Sequence, residues 1–352
     1  MTFTRSGHPS DWGTMRVITT PQEFNVDDLY VDLRGLAGFP LLLKCEGFNF
    51  SGSIKLKAAV QMVDNAEREG RLRPGSTLVE SSSGNLGVAL STVAASRGYR
   101  FVCVTDSRCT LGARQLMQTL GSTVQVVTEP DPEHGFLGAR IAVVRRLAGE
   151  HGYVWLNQYA NAGNWGAHYN RTAQEILRHV PNLDVLFVGA GTTGTLMGCA
   201  RFLRDVKPSV RVVAIDSVGS TTFGGPAGQR MIPGLGTSTR PQLLDESLVD
   251  DLVMVHESDT IRACRSLVRR GFLFGGSTGT VVHGARHWVA ENRPDGRLTA
   301  VAIAPDLGER YLDTIYHDQW VADIYGQEVL EDTADYNDTF AASTTDLSGT
   351  LL

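Results

Sequence analysis

The stretch Gly47-Phe48-Asn49-Phe50-Ser51-Gly52-Ser53-Ile54-Lys55-Leu56-Lys57 decides how this chain is interpreted. An apolar run, Leu41-Leu42-Leu43, precedes it, and a helical pattern over residues 58–67 follows it. Lys55 therefore follows a Gly-Ser turn and opens a helix, where the backbone fixes the side chain. A lysine that acts as a nucleophile must be held rigidly and kept from water, so that its amine is neutral. Most helix lysines are simply solvated, and Lys57 is a second candidate.

A loop rich in glycine and threonine marks another junction between a strand and a helix. Gly191-Thr192-Thr193-Gly194-Thr195 follows an apolar strand predicted over residues 184–188 and opens a helix predicted over residues 195–205. Backbone N–H groups at the start of a helix bind anions, and the helix dipole strengthens the attraction. The glycines let the backbone approach a phosphate closely. The loop therefore indicates an anion site, although a plain tight turn accounts for it equally well.

Two more strand-to-helix junctions are rich in serine and glycine. They are Ser81-Ser82-Ser83-Gly84-Asn85-Leu86-Gly87 and Gly275-Gly276-Ser277-Thr278-Gly279-Thr280. Serine commonly caps helices, so capping alone accounts for either motif. The functional alternative for the first motif is a cradle, in which hydroxyl and N–H groups bind a carboxylate.

Strands and helices alternate along the chain. Short apolar segments such as Phe101-Val102-Cys103-Val104 are separated by helical patterns, among them residues 86–96, 134–147 and 163–179. This alternation is typical of an α/β fold whose parallel sheets are covered by helices on both faces. Ligands of such folds bind at the carboxyl ends of the strands, which is where the glycine-rich loops are predicted to lie.

Composition and charge limit the classes of function. The length of 352 residues suggests one large or two medium domains, and 42% hydrophobic with 20% charged residues is ordinary for a globular enzyme. The net charge is −6, and residues 326–352 carry six acidic residues and no Lys or Arg. Those residues are predicted to form a flexible acidic tail. The nearly neutral remainder argues against a nucleic-acid partner.

The pattern of cysteines, histidines and apolar runs argues against further classes of protein. The five cysteines contain no Cys-x-x-Cys pair, which favours free thiols in a reducing cytoplasm. The sequence has no His-Glu-x-x-His motif, and no metal site is predicted. No signal peptide is visible, and no apolar run reaches the ~18 residues that a membrane-spanning helix needs.

In their order and spacing, these motifs resemble the pyridoxal 5′-phosphate site of the cysteine synthase family, from about residue 41 to residue 316. The resemblance implies that Lys55, at the Gly-Ser-x-Lys position, binds the cofactor and acts as the catalytic base. It implies that the loop Gly191, Thr192, Thr193, Gly194 and Thr195 binds the cofactor phosphate. Asn85 is implied for the cofactor's 3′-hydroxyl, and Ser277 for the pyridine nitrogen.

The resemblance also assigns the substrate side of the site. It implies that the substrate carboxylate is bound by Ser82, Ser83, Gly84, Leu86 and Gln158. Tyr159 is a candidate for the pocket of a second substrate, although a core tyrosine is the more common role. The family's cysteine synthases usually carry threonine at the positions of Ser82 and Leu86. These differences weaken an assignment as a cysteine synthase.

The fold that the resemblance implies is fold type II, with two three-layer α/β/α domains and the cofactor between them. We expect residues 41–75 and 162–325 to form the large cofactor-binding domain, with residues 1–40 contributing to it. Residues 76–161 are expected to form a small domain that closes on the substrate, and residues 326–352 the tail. A homodimer is implied as well.

Within the family, the segments Leu43-Lys44-Cys45-Glu46-Gly47 and Ile54-Lys55-Leu56-Lys57 resemble one branch. Its enzymes join O-phospho-L-serine to L-glutamate for siderophore and peptide-antibiotic pathways, and an NAD-dependent dehydrogenase then cleaves the product to 2,3-diaminopropionate. Arg230 and Arg240 are candidates to bind the leaving phosphate. The alternatives are a related enzyme that uses sulfide, homocysteine or water, and a non-catalytic cofactor-binding sensor or scaffold.

Overall fold

The computed structural model describes residues 17–331. Its strands are β1 (Tyr30–Asp32), β2 (Leu41–Cys45), β3 (Thr77–Ser81), β4 (Arg100–Asp106), β5 (Thr123–Val127), β6 (Val154–Trp155), β7 (Val185–Gly189), β8 (Arg211–Ser217), β9 (Asp251–Val255) and β10 (Ala300–Ala304). Its α-helices are α1 (Arg34–Ala37), α2 (Lys55–Arg68), α3 (Asn85–Arg97), α4 (Leu111–Thr119), α5 (Gly135–His151), α6 (Ala162–Ala167), α7 (Ala173–His179), α8 (Gly194–Val206), α9 (Glu257–Val268), α10 (Gly276–Asn292), α11 (Asp318–Tyr325) and α12 (Glu328–Glu331).

The strands form two sheets. The large sheet has the order β1-β2-β10-β7-β8-β9, and all of its neighbours are parallel except β1 and β2. The small sheet has the order β5-β4-β3-β6 and is parallel throughout. The predicted α/β fold with parallel sheets is therefore confirmed.

Helices cover both faces of the large sheet because its inner strands are apolar on both faces. In β7, Val185 and Phe187 pack into one core together with residues of α10. The alternate residues Leu186 and Val188 pack into a second core with residues of α7 and α8. Since neighbouring side chains of a strand point to opposite faces, this pattern produces three layers.

The small sheet is also covered on both faces. Leu78 and Phe101 pack into a core with apolar residues of α2, α3 and α4. On the opposite face, Val79 and Val104 pack against Val144 of α5. The small sheet thus repeats the layered arrangement of the large one.

Helix α2 connects the two halves of the molecule. Its residues Leu56, Met62 and Val63 pack in the core of the small sheet, although residues 41–75 were expected in the large domain. The helix also contacts α6. Its apolar side packs against α3, because both helices bring apolar residues to the core of the small sheet. The proposed domain boundaries stay a prediction.

The C-terminal part of the described chain is folded further than expected. Val321 of α11 and Val329 of α12 are buried in a core that includes Ile232 and Ile315. Residues 326–331 therefore belong to the folded body, which corrects the expectation of a flexible tail from residue 326, because Val329 finds apolar partners. The rest of the predicted tail, residues 332–352, lies outside the described residues.

All of the cysteines are free and buried. Cys103 and Cys109 lie in the core of the small sheet. Cys45 and Cys199 lie in the two cores of the large sheet, and Cys264 contributes to the core around α9 and α11.

Candidate active site

A cleft lies at the carboxyl ends of strands from both sheets, with an empty volume of about 1060 Å³, and it adjoins a cavity of about 530 Å³. The cleft is lined by every residue predicted to bind substrate, namely Ser82, Ser83, Gly84, Leu86, Gln158 and Tyr159. The cavity is lined by every residue predicted to hold the cofactor, namely Lys55, Asn85, Gly191, Thr192, Thr193, Gly194, Thr195 and Ser277. The structure therefore brings all of these residues together.

Lys55 begins α2 and lines both the cleft and the cavity. The backbone before it is fixed, because the N–H of Ile54 donates to the carbonyl of Pro305 over 2.7 Å. Gly52 supplies the left-handed backbone of the preceding turn, with φ of +67°. Burial lowers the pKa of Lys55 to about 8, and no ion pair to its amine is found among residues 17–331. The amine can therefore be neutral near physiological pH.

Lys57 lies in the opposite kind of environment. Its Nζ is 3.0 Å from Oε1 of Glu46 and 2.6 Å from Oε2 of Glu175. Nζ of Lys44 lies 3.4 Å from each of the same two oxygens. We call these four buried residues the ion cluster. Because its ammonium group is already paired, Lys57 is not a free nucleophile, and the structure favours Lys55.

The loop of residues 191–195 turns sharply into α8. Thr193 has φ of 65°, in the left-handed region, and the helix begins at Gly194. A Cβ atom on Gly191 would lie 2.9 Å from the carbonyl oxygen of Gly234, so a larger residue would force the backbone to shift. Oγ1 of Thr193 is buried and has no hydrogen-bond partner in the described part of the chain. A free hydroxyl beside the N–H groups of a helix start fits the phosphate of pyridoxal phosphate.

The serine-rich junction after β3 both caps a helix and lines the cleft. Oγ of Ser82 accepts hydrogen bonds from the N–H groups of Gly87, over 2.9 Å, and Gly84, over 3.2 Å. This hydroxyl therefore caps the start of α3. The same segment forms one wall of the cleft through Ser82, Ser83, Gly84, Asn85 and Leu86.

Glu80 holds the loop that carries Gln158 and Tyr159. Its carboxylate accepts hydrogen bonds from the N–H of Gln158, over 3.2 Å, and from Nε1 of Trp155, over 3.1 Å. Burial raises the pKa of Glu80 to about 7, against the opposing effect of its hydrogen bonds. Nε2 of Gln158 in turn donates to the carbonyl of Ser81 over 2.7 Å, which ties this loop to the serine-rich wall.

Ser277 lies buried in the first turn of α10, opposite a loop that passes very close to it. A Cβ atom on Gly234 would lie 2.3 Å from its Oγ. Gly234 also has φ of +120°, which other residues rarely adopt. Only glycine at position 234 therefore leaves Ser277 facing the cavity.

Asn85 has protein partners on both atoms of its side-chain amide. Its Nδ2 donates to Oδ2 of Asp306 over 2.8 Å, and its Oδ1 accepts from Nη1 of Arg310 over 2.5 Å. Oδ2 of Asp306 also accepts from the hydroxyl of Tyr311 over 2.5 Å. These contacts fix the start of α3 against the end of β10, and the role of Asn85 toward the 3′-hydroxyl stays a prediction.

The cleft also contains three basic residues that were not predicted to line it, Arg108, Arg140 and Arg310. Its basic lining residues are Lys55, Arg108, Arg140, Arg230 and Arg310, and no acidic side chain among the described residues lines it. Asp106, just behind this lining, accepts two hydrogen bonds of 3.1 Å from Arg108. Nη1 of the buried Arg140 has no hydrogen-bond partner in the described chain. The cleft is therefore suited to anionic ligands.

The two arginines considered from sequence have different locations. Arg230 lines the cleft, and its Nη1 donates to the carbonyl of Leu235 over 3.0 Å. Arg240 pairs with Glu246 instead and is not among the residues that line the cleft. Of these two candidates, only Arg230 can reach a ligand in the cleft.

Residues 17–331 contain neither a cluster of metal ligands nor a helix that could span a membrane. No group of three His, Cys, Asp or Glu residues there could hold a metal ion. His283 and His287 are four residues apart on α10, but they contact different carboxylates, Asp259 at 3.9 Å and Glu291 at 3.3 Å. Within the same residues, each helix is too short or too polar to cross a membrane.

Two known proteins with similar sequences have the same name. N-(2-amino-2-carboxyethyl)-L-glutamate synthase of Ralstonia nicotianae is 41% identical over 285 residues, which cover 80% of this chain and 83% of that protein. The synthase of the same name from Cupriavidus metallidurans is 38% identical over 309 residues, covering 86% of this chain and 90% of that protein.

A solved structure supports the same relationship. The crystal structure of O-ureido-L-serine synthase superimposes with a TM-score of 0.78 and 33% identity, covering 88% of this chain and 96% of that chain. The sequence profile of the family described as pyridoxal-phosphate dependent enzyme matches residues 29–306. Because this profile covers most of the chain and the two synthases match it over most of their length, the chain belongs to the pyridoxal-phosphate dependent enzyme family.

Proposed function

We propose that this enzyme replaces the phosphate of O-phospho-L-serine with the α-amine of L-glutamate, giving N-(2-amino-2-carboxyethyl)-L-glutamate and inorganic phosphate. The observation that carries the proposal is the cleft above Lys55, whose charged lining is entirely basic within the described residues. The donor is an anion with a phosphate and a carboxylate, and the acceptor has two carboxylates. The names of the two synthases that resemble the chain support the same product.

The cofactor would be held by the residues that line the smaller cavity. Lys55 would bind its aldehyde carbon, residues 191–195 its phosphate, Ser277 its ring nitrogen and Asn85 its 3′-hydroxyl. When bound, the cofactor supplies an electron sink next to the substrate Cα. A hydroxyl at the ring nitrogen leaves that nitrogen unprotonated and weakens the sink, which favours loss of a β-substituent over transamination.

Lys55 moves the proton in this proposal. Its amine, with a pKa lowered to about 8 by burial, takes the proton from the substrate Cα and later returns it. The Cβ–O bond breaks, and phosphate departs with the electron pair. The nitrogen of glutamate then bonds to Cβ and loses one proton, which the departing phosphate takes up, so that atoms and charges balance.

The substrate carboxylate is bound at the serine-rich wall. Ser82, Ser83, Gly84 and Leu86 offer hydroxyl and N–H donors there, and Gln158 faces them from the neighbouring loop. The hydroxyl hydrogen of Ser82 stays available for this role, because its oxygen is the part that caps α3. Tyr159 contributes a further hydroxyl to the cleft.

The departing phosphate is stabilised by the arginines of the cleft. Arg140 is the strongest candidate, because it is 4% exposed and its Nη1 has no hydrogen-bond partner in the described chain. Arg108 and Arg230 flank the same space. Guanidinium groups suit a phosphate because two N–H donors can meet two oxygens at once.

Further parts of the proposal rest on the family resemblance. They are a homodimer, a role in a siderophore or antibiotic pathway, and an NAD-dependent dehydrogenase that cleaves the product to 2,3-diaminopropionate. The free, buried state of every cysteine supports a reducing compartment such as the cytoplasm.

The test is phosphate release by the purified, cofactor-loaded enzyme. We expect O-phospho-L-serine to yield phosphate when L-glutamate is present, with a product whose mass equals serine plus glutamate less water. Arg140→Lys should lower kcat/KM for O-phospho-L-serine by about tenfold or more, because a lysine cannot form the paired contact. Arg240→Lys, on the surface, is the matched control and should leave kcat/KM unchanged.

Other outcomes would redirect the assignment. Release that requires sulfide instead of glutamate would make the enzyme a cysteine synthase. If O-acetyl-L-serine is used and O-phospho-L-serine is not, the phosphate role of the arginines is wrong. In either case the cofactor assignment stands, since it does not depend on the substrate.

A further inference from the structure

Two side chains of one helical segment contact the hydroxyl groups of the loop at residues 191–195. Nδ2 of Asn164 in α6 is 3.0 Å from Oγ1 of Thr192. Nε2 of His168 is 3.2 Å from Oγ1 of Thr195. Asn164 and His168 are 1% and 0% exposed, so both contacts are shielded from water. We propose that Asn164 and His168 are positioning residues that turn these two hydroxyl hydrogens toward the cofactor phosphate. The inference rests on the proposed role of the loop.

The direction of the Asn164 contact follows from its second partner. The same Nδ2 lies 2.8 Å from the carbonyl oxygen of Gln158. A carbonyl only accepts hydrogen bonds, so this side of the amide must be the NH₂ group. Asn164 therefore donates to the oxygen of Thr192. The hydroxyl hydrogen of Thr192 remains free to donate elsewhere.

The ion cluster favours one direction for the His168 contact. Nζ of Lys57 donates to Oγ1 of Thr172 over 3.3 Å, and Nδ1 of His168 lies 3.1 Å from that same oxygen. With Lys57 donating to this oxygen, the Thr172 hydroxyl can donate its own hydrogen to Nδ1. The proton of a neutral imidazole is then on Nε2, and it points at Thr195.

His168 is neutral in this environment. Burial lowers its pKa well below the usual value, and the positive charges of Lys57 and Lys55 act in the same direction. A neutral ring has one donor and one acceptor nitrogen, as the chain from Lys57 through Thr172 to Thr195 requires. The ion cluster thereby favours the tautomer whose proton is on Nε2, the nitrogen that faces the loop.

Hydroxyl orientation matters here because the phosphate would have few other partners. Lys55 is the only charged side chain among the described residues that line the smaller cavity. The remaining donors are N–H groups at the start of α8 and the hydroxyls of Thr192, Thr193 and Thr195. Turning two of these hydroxyls away would remove donors that no arginine replaces.

The packing between α8 and the segment of residues 162–172 supports this role. A Cβ atom on Gly194 would lie 2.1 Å from Oδ1 of Asn164, and one on Gly198 would lie 2.6 Å from Cβ of His168. These glycines let the two helices approach within hydrogen-bonding reach. The π-helical turn His168–Thr172 begins at the histidine itself, and such turns are frequent at functional sites.

The test compares two forms of the cofactor on the full-length apoprotein. Dissociation constants are measured for pyridoxal phosphate and for pyridoxal, which lacks the phosphate, in Asn164→Ala, His168→Leu and His168→Gln. We expect Asn164→Ala and His168→Leu each to weaken binding of pyridoxal phosphate by about tenfold and to leave pyridoxal binding unchanged. His168→Gln should restore most of the affinity, because Nε2 of glutamine can donate to Thr195. The ³¹P resonance of the bound cofactor should move in the first two variants.

Three controls make the result decisive. Tyr169 lies on the same helical segment as Asn164 and His168, and its hydroxyl donates a 2.8 Å hydrogen bond to Asp205 of α8. Tyr169→Phe removes this bond and should change neither of the two dissociation constants. Equal losses for both cofactor forms, or no loss in Asn164→Ala and His168→Leu, would overturn the inference.

Thr192→Val and Thr195→Val test the loop itself. If they weaken pyridoxal phosphate selectively and the Asn164 and His168 variants do not, only the positioning role is wrong. If they have no effect, the phosphate assignment fails.

Discussion

Lys55 and Lys57 are two residues apart on one helix, yet their amines have opposite surroundings. Lys55 faces the cleft, and burial lowers its pKa to about 8. Lys57 points into the ion cluster and contacts two carboxylates. Partial burial without a counter-charge destabilises an ammonium, whereas a paired carboxylate stabilises it. The difference in partners therefore makes one lysine chemically available and the other structural.

The lowered pKa of Lys55 predicts how cofactor loading depends on pH. At pH 7 about one amine in ten would be neutral with a pKa of about 8, against about three in ten thousand for an ordinary lysine. The pKa is lowered, so the neutral, reactive form gains with rising pH and makes up about half of the amines at pH 8 and about nine in ten at pH 9. We expect the rate at which apoprotein gains visible absorbance from pyridoxal phosphate to rise through pH 8 and to level off above about pH 9.

The control for this prediction is Lys55→Ala, which should gain no protein-bound visible absorbance at any pH. A rate that keeps rising to pH 10 would mean that Lys55 has an ordinary pKa. An unchanged spectrum in Lys55→Ala would mean that the cofactor binds to a different amine.

At the residue scale, the residues that the sequence grouped by continuous motifs are the ones that the fold brings to one cleft and its adjoining cavity. The segment around Lys55, the threonine loop and the serine wall are each continuous in sequence. Their residue types indicate the chemistry that each can perform. Arg108 and Arg140 are isolated in sequence, and nothing separates them from the many arginines on helix surfaces. Only the fold turns Arg140 inward, where it is 4% exposed.

At the scale of elements, the segment of residues 162–179 shows what helical periodicity can predict. A helix over residues 163–179 was expected, and residues 162–179 are helical. The π turn inside it was not expected, because it depends on contacts with α8 and Lys57 that lie far away in sequence. Strands β6 and β9 were not predicted, although each lies in a short apolar run, over residues 153–156 and 252–255. Apolar runs this short do not distinguish a strand from a buried helix segment.

The contact between α6 and α8 gives a prediction for Gly198. A Cβ atom there would lie 2.3 Å from the carbonyl oxygen of Trp165, so Gly198→Ala must push the helices apart. We expect the free energy of unfolding to fall by about 1–3 kcal/mol. Affinity for pyridoxal phosphate should fall as well, since His168 moves away from Thr195. Urea unfolding and cofactor titration measure the two effects.

Gly149→Ala is the matched control for this substitution. Gly149 is exposed in α5, and a Cβ atom there would meet nothing within 4 Å. Alanine favours a helix over glycine by up to about 1 kcal/mol, so this variant should be slightly more stable. If both variants behaved alike, close packing at Gly198 would not be the cause.

At the scale of the whole molecule, the position of the cleft follows from a general rule for parallel sheets. Loops at the carboxyl ends of strands meet there, and the sequence motifs fall in those loops. The packing of α2 against the small sheet and of α11 and α12 against α9 was not predictable in the same way. Both depend on which apolar surfaces come together, and periodicity does not specify the partner of an apolar face.

The C-terminal helices stabilise one lip of the cleft. The hydroxyl of Tyr325 donates to Oε2 of Glu257 over 2.7 Å. Glu257 also accepts from the N–H groups of Met231, over 2.9 Å, and Ile232, over 2.7 Å. Met231 and Ile232 line the cleft, so α11 reaches the site through this carboxylate and through the core that it shares with Ile232.

A pair of truncations tests this link. A chain that ends at residue 317 loses the buried Val321 and Val329 and the bond from Tyr325. We expect it to lose about 3 kcal/mol or more of stability and to have a raised KM for the donor substrate. A chain that ends at residue 331 keeps every contact described here and should match the full chain. Equal behaviour of the two truncations would show that α11 and α12 do not support the site.

Because the cysteines are buried, their reactivity reports which part of the protein unfolds locally. Burial raises the pKa of Cys45 to about 11 and those of Cys199 and Cys264 to about 12, and it raises those of Cys103 and Cys109 as well. A protonated thiol without solvent access is inert to alkylating reagents. Each thiol becomes reactive only when its own core opens. Since Cys103 and Cys109 belong to the small-sheet core and the other three do not, the order of alkylation in the native sequence reports which half of the molecule loosens first.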